Sequence, residues 1–290
     1  MQHSNEISAL FTLIDDPDEE VFSTVSERIV HYGRSIIPSL EDLWENTPND
    51  NVQVRIEMLI HRLHYTDLVN DLTEWRDSAY HDLLCGALLV AKFQYPELHT
   101  TPVLQEIEKI RRNVWLEMNS FLTPLEQANV ISSILYNYYN LKGMEVAYTN
   151  PDIFFIHKVL QSKKGNSFSN GILYMVLAEL LDLQVRAINI PRQFVLAFFN
   201  TECDPSTYKG DQRRNIHFYV DAATGQPFTN NDVENYFKRI SVPAIPFYFK
   251  PLSKKRIIQM LIEELARCFE TPEMLYKKTE LLQLAALLDN

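Results

Sequence analysis

The tightest constraint on this chain is a switch of sequence texture between residues 162 and 221. The polar run Lys164-Gly165-Asn166-Ser167-Phe168-Ser169-Asn170 leads into an apolar helix expected over 171–183. From 184 to 250 the pattern becomes β-rich, predicting strands at 185–190, 194–199, 216–221 and 245–249. Helical patterns occupy the chain on both sides of this stretch. A few strands set within long helical runs predict an α+β protein dominated by helix.

The first part of the chain contains an internal repeat. Pro17-Asp18-Glu19-Glu20-Val21 returns as Pro48-Asn49-Asp50-Asn51-Val52, and Val21, Val25 and Ile29 correspond to Val52, Ile56 and Ile60. Each set is spaced four apart, on one helix face. Proline among acidic or amide residues marks the helix starts. Tyr32-Gly33-Arg34-Ser35 ends one helix and begins another that reaches about Glu45. Two readings fit: helical hairpins stacked as HEAT-like repeats, or an ordinary helical bundle with a fortuitous internal match.

Further helices are expected near 66–75, 79–93, 102–119, 124–141 and 152–161. Thr123-Pro124-Leu125-Glu126 carries a threonine N-cap, a proline at the first position and a glutamate at the third. A C-terminal hairpin is predicted from helices at 256–270 and 273–288, turning about Thr271-Pro272. The expected domains are a helical-repeat domain over 1–145, a core over 146–250 and a tetratricopeptide-like helical hairpin over 251–290.

Composition narrows the function classes. Lysine and arginine number 27 against 38 acids, a net charge of −11, whereas nucleic-acid affinity rests on a basic surface. No run approaches the ~18 uncharged apolar residues of a membrane span, and Met1-Gln2-His3-Ser4-Asn5-Glu6 is not a secretory pattern. The three cysteines, Cys85, Cys203 and Cys268, are scattered and odd in number. They form no disulfide framework or CxxC site, which fits a reducing cytoplasm. Cys85, in the apolar run 83–91, reads as a core thiol, and Cys203, beside Glu202 and Asp204, as a non-catalytic surface thiol. None of the eight histidines has HxxxH or HExxH spacing, and there is no GxGxxG or GxxxxGK loop. No metal, nucleotide or other cofactor is therefore expected. Lys254-Lys255-Arg256 reads as the solvated start of the C-terminal helix.

The order of these signals resembles bacterial SirB-type transglutaminase-like proteins. The matching stretches begin with Leu13-Ile14-Asp15-Asp16-Pro17-Asp18 and Val21, and Gly33 with Ile37-Pro38-Ser39-Leu40. Tyr148-Thr149-Asn150-Pro151, Val159-Leu160 and Lys164 to Ser169 with Leu173-Tyr174 follow. Ile190-Pro191-Arg192-Gln193-Phe194, Val220-Asp221 and Lys250-Pro251 complete the set. The resemblance implies N-terminal helical repeats, a degenerate transglutaminase or papain-like core and a tetratricopeptide-type tail. It also implies a nucleophile at a helix start, a base on the next strand and an orienting acid on the one after. Those places hold Ser167 or Ser169, Gln193 and Asp221. Where the family has proline–glycine–histidine–phenylalanine, this chain has Pro191-Arg192-Gln193-Phe194.

The substitutions bear on chemistry. A serine hydroxyl attacks an acyl carbon only with a base in hydrogen-bond reach, and glutamine accepts no proton near neutral pH. His157 lies shortly before the motif. His217 precedes Asp221 by four residues on one strand, facing the same way but about 13 Å away. Asn166 and Ser167 also suit a helix cap, and Asp221 suits the start of the turn Ala222-Ala223-Thr224-Gly225. The leading expectation is a non-catalytic protein that binds a protein or peptide partner. The alternative is a serine-based amidase or peptidase with a base recruited from His157 or His217.

Overall fold

A computed structural model describes residues 2–146, 148–200 and 211–289, leaving Cys203 and its loop outside the described residues. The chain divides into two compact units, residues 1–74 and 75–290.

The first unit is built from α1 (Gln2–Thr12), α2 (Glu19–His31), α3 (Ile37–Asn46) and all but the last three residues of α4 (Asp50–Asp77). Its core includes Ile14, Val25, Ile29, Leu40, Val52 and Ile56, with Ile60 packed against it, so the repeated apolar positions do point inward. Asp18 caps α2 by accepting from the Glu20 N–H at 2.9 Å. Arg55 ties the layers together: its guanidinium donates to the Ile14 carbonyl at 3.0 Å and the Asp16 carbonyl at 2.6 Å, and lies 4.4 Å from the Phe22 ring centre. The helix expected at 66–75 is not separate. No glycine or proline interrupts residues 50–77, and α4 runs through them unbroken.

The second unit continues with α5 (Leu83–Lys92), α6 (Thr101–Glu117), α7 (Pro124–Ser132), β1 (Lys142–Gly143), α8 (Ile156–Ser162), β2 (Lys164–Gly165) and α9 (Ser167–Leu180). Strands β3 (Val185–Ile190), β4 (Gln193–Phe199), β5 (Ile216–Asp221) and β6 (Pro227–Phe228) follow, then α10 (Asn230–Arg239), α11 (Lys254–Ala266) and α12 (Leu275–Leu287). The protein is therefore α+β and predominantly helical. No helix among the described residues is long and apolar enough to cross a membrane.

Helix α9 is the hub of this unit, packing on α5, α6, α8, β3 and β4. Ile172, Leu173, Tyr174 and Leu177 are fully enclosed, and the Tyr174 hydroxyl donates to the Ala128 carbonyl at 3.1 Å. The sheet is antiparallel in the order β3-β4-β5-β6, with Ile190 facing Gln193 and Val195 facing Asp221. One face meets α9 through Phe168 against Phe194 (4.9 Å between ring centres) and Tyr174 against Phe198 (6.4 Å). The other face packs Ile188, Val195, Ala197 and Tyr219 against Val233 and Phe237 of α10.

Several expectations are corrected. Residues 245–249 are not a strand; Pro246–Phe249 forms a 3-10 turn that buries Phe249 against the sheet. Pro243, Pro246 and Pro251 lack the N–H groups a ladder needs, and only a bridge of Pro251 to Ile188 and a bond from Leu252 N–H to Ala187 O (2.8 Å) meet the β3 edge. Cys85 is exposed rather than in the core: Asp82, not a residue near 79, caps α5, and the helix then buries Gly86, Ala87 and Leu88 instead. The helix expected over 124–141 is regular only to Ser132 and continues as a wider π-helical turn, Ser133–Tyr138.

Pro191 and Arg192 link β3 to β4, and Arg192 lies at φ 66°. Proline followed by a left-handed residue is the pattern of a type II turn, in which glycine is unstrained and arginine is not. Arg192→Gly is expected to raise stability by roughly 0.5–1 kcal/mol, the αL strain less the extra chain entropy of glycine. A urea titration of both forms checks this; an unchanged or lower midpoint would mean the turn carries no such strain.

Candidate functional site

A cleft of about 370 Å³ opens where the β3–β4 hairpin meets the first turns of α9 and α10. Ser167, Gln193 and Asp221 all line it.

Ser167 reaches the cleft because of how α9 begins. Asn166 is the N-cap, and its side-chain oxygen accepts from the N–H groups of Phe168 (2.9 Å) and Ser169 (3.0 Å). The Ser169 hydroxyl accepts from the Asn166 N–H (3.0 Å) and donates to the Ile153 carbonyl (2.7 Å), completing a buried capping box. Two residues along a helix correspond to about 200° of rotation, so both serines cannot face one side. Ser169 is buried inside the box and does not line the cleft; Ser167 is half-buried, and its hydroxyl has no hydrogen-bond partner among the described residues. One turn on, Gly171 lies so close to the sheet that a Cβ there would meet Phe194 at 2.7 Å and Ala222 at 3.1 Å. This contact seats the start of α9 at the end of β4 and β5.

Gln193 opens β4 and is exposed. The hairpin before it is held by the Tyr236 hydroxyl, which donates to the Pro191 carbonyl at 2.8 Å. Asp221 ends β5, on the same sheet face as Val195 opposite it and Gln193 two residues before that. Its Oδ1 accepts from the Ala223 N–H (2.9 Å) and its Oδ2 from the Thr224 hydroxyl (2.7 Å). The turn-forming role and the cleft position thus coincide in this residue. Behind the turn, the Tyr136 hydroxyl donates to the Ala222 carbonyl at 2.8 Å; burial, with Tyr174 and Asp221 adding, holds this phenol well above its ordinary value and so neutral.

Helix α10 completes the wall and was not among the expected elements. Its capping box, Thr229 with Asp232, and the i, i+4 pair Val233 and Phe237 were available as signals within a stretch read as strand and loop. Asp232 lines the cleft, and its carboxyl is held below the ordinary range first by the Thr229 backbone N–H and then by the Thr229 hydroxyl.

The sequence profile of the transglutaminase-like superfamily matches residues 101–263. The chain belongs to the transglutaminase-like superfamily. No curated protein and no solved structure matches it. The matched stretch contains every residue of the cleft described above, so the cleft is part of the superfamily domain.

Among the described residues, no cysteine or histidine lines the cleft of this transglutaminase-like domain. His157 is buried on α8, with its ring 4.8 Å from that of Tyr95, and its Nδ1 has no hydrogen-bond partner among the described residues. His217 does not share a side with Asp221. The ladder shifts register beside it, with Phe198 facing Phe218 and Phe199 facing Ile216, so Ile216 and Tyr219 enter the same core face and His217 bulges out exposed. Cys268 is half-buried and burial pushes its thiol up to about 11. No group of three or more His, Cys, Asp or Glu among the described residues is placed to hold a metal ion.

Two predictions follow from these placements. Ser169→Ala leaves the buried Asn166 N–H and Ile153 carbonyl unpaired and is expected to lower stability by about 1–3 kcal/mol, whereas Ser167→Ala is expected to change it by less than about 0.5 kcal/mol. Chemical denaturation of the two variants distinguishes them, and equal losses would contradict the asymmetry. For His157, burial first and Lys158 second lower the imidazole below 6.5, while Asp152 opposes them. A depressed folded-state value means the unfolded chain binds the proton first as pH falls. The contribution is therefore complete above about pH 6.5 and is lost as pH drops below it. His157→Phe should show a shallower fall in denaturation midpoint between pH 7.5 and 5.5 than the wild type; parallel curves would refute this.

Proposed function

We propose that this chain is a non-catalytic, SirB-type member of the transglutaminase-like superfamily that binds a protein or peptide segment in its cleft. The observation that carries the proposal is Gln193, which opens β4 on the cleft wall where the family resemblance calls for histidine. An amide cannot take the Ser167 proton, and both Asp221 oxygens already accept from their own turn. Acyl transfer at Ser167 therefore lacks the imidazole base that the family resemblance implies. The cleft remains a binding surface: about 370 Å³, within the usual ligand-site range of roughly 300–1,000 Å³, with apolar walls and a few convergent polar groups.

The proposed organisation is a HEAT-like repeat domain over 1–145, a transglutaminase-like core over 146–250 and a tetratricopeptide-like hairpin over 251–290. Support comes from the repeated apolar positions buried on α2 and α4 and from the packing of α11 on α12. Repeat surfaces of this kind commonly engage extended partners. A reducing cytoplasm is the setting that the scattered cysteines suit.

The test has two arms. Thioester, ester and amide substrates should show no turnover above that of Ser167→Ala; turnover abolished by that substitution would defeat the proposal. The second arm asks whether Ser167 and Gln193 still hold the inherited positions. A Ser167→Cys/Gln193→His double variant should react with iodoacetamide at pH 7 about tenfold or more faster than Ser167→Cys alone, because an adjacent imidazole lowers a thiol's pKa. Equal rates would show that the two positions do not form a nucleophile–base pair.

A further inference from the structure

Arg192 stands at the tip of the β3–β4 hairpin, lines the cleft and has no hydrogen-bond or ion-pair partner among the described residues. Several other guanidinium groups, those of Arg55, Arg76, Arg111, Arg213, Arg256 and Arg267, are each paired with a carboxylate. Arg192 is also carried on a left-handed residue, φ 66°, where glycine would fit without strain.

The acids of the same cleft are already engaged. Asp221 accepts one bond on each oxygen from its own turn. Asp232 accepts from both the N–H and the hydroxyl of Thr229, each at 2.7 Å, and its charge faces the positive end of α10. Arg192 therefore holds the largest unspent hydrogen-bonding capacity on the cleft rim, and its planar fork of donors matches a carboxylate in two parallel bonds. Beside it, Ile190, Phe228 and Val233 give the cleft an apolar wall.

The geometry points to an acidic ligand: Arg192 is the specificity-determining residue for an extended polypeptide segment, pairing with an Asp or Glu side chain at the rim while a neighbouring apolar side chain packs on Ile190, Phe228 and Val233. This rests on the peptide-binding reading of the cleft and names the class of peptide.

A random peptide library displayed on phage, selected against the full chain, tests it. Wild-type selections should enrich peptides sharing one Asp or Glu next to an apolar residue. A synthetic peptide of the enriched sequence should lose about tenfold or more in affinity when that acid becomes its amide, and equally on Arg192→Gly. Arg192→Asn, which keeps a residue tolerant of the left-handed region, should lose as much, separating charge from backbone. Arg192→Glu should shift the enrichment towards Lys and Arg. Enriched peptides without a shared acid, or affinity unchanged in Arg192→Gly and Arg192→Asn, would overturn this assignment while leaving peptide binding intact. No enrichment at all would overturn both the peptide-binding reading and this inference.

Discussion

Everything at the cleft depends on one buried hydrogen-bond network at the start of α9. Asn166 takes the two N–H groups that follow it, Ser169 takes the Asn166 N–H, and the Ser169 hydroxyl is passed on to the Ile153 carbonyl. Asn166 and Ser169 are both enclosed, so their polar atoms have no water to fall back on and the arrangement is exclusive. Gly165 is a condition for it. A Cβ there would lie 2.1 Å from the Asn170 side-chain oxygen and 2.7 Å from the Ser169 hydroxyl. The same glycine pairs with Gly143, and its carbonyl accepts from the Met144 N–H at 2.7 Å, tying the helix start to the segment that follows the π-helical turn. The cap thus sets the rotation of α9, and that rotation decides which serine sees solvent.

The sheet supplies the opposing constraint. Gln193 and Asp221 reach the cleft because β4 and β5 keep regular alternation at this end, with Val195 opposite Asp221. At the far end the alternation fails at the Phe198/Phe199 shift, and the residue displaced is His217. A single bulge is therefore what removes the nearest strand histidine from the face that carries Asp221. The carboxylate itself is turned inward to its own chain, closing the turn that Gly225, at φ 72°, and the Tyr136 hydroxyl hold from behind. What remains on the cleft wall is polar and shaped, with Asp221 and Asp232 as its carboxylates and no histidine among the described residues.

Much of this was legible in the sequence where local signals and long-range packing agree. The apolar run beginning at Gly171, the break at Pro191 and the alternation into Asp221 located the helix, the hairpin and three of the cleft residues. Gln193 on the cleft wall was readable from the break at Pro191. Where tertiary context decides, reading failed. Both Ser167 and Ser169 suit a helix start, and the capping box with Asn166 together with the Ile153 carbonyl separates them. The run 245–249 has strand-forming residues, yet three nearby prolines take it out of the ladder. Cys85 sits in an apolar run but on the one flank of α5 left uncovered. Helix α10 was hidden by the β-rich texture around it, although Thr229 and Asp232 spell its start.

Arg192 and Gln193, the two residues that differ from the proline–glycine–histidine–phenylalanine implied by the resemblance, are adjacent, and each makes physical sense of the other. A histidine at 193 working with a nucleophile must carry positive charge for part of its cycle, and a fixed guanidinium on the preceding residue disfavours that charged form. A glutamine is indifferent to it. Conversely, once no imidazolium has to form at 193, the position before it is free to carry a cation, even at the cost of a left-handed backbone. Against the glycine–histidine pair that the resemblance implies, Arg192-Gln193 exchanges a proton acceptor for a permanent hydrogen-bond donor on the same cleft wall. In the proposed reading, that exchange moves the chemistry of the cleft from proton transfer towards recognition, with the fold that positions it left intact.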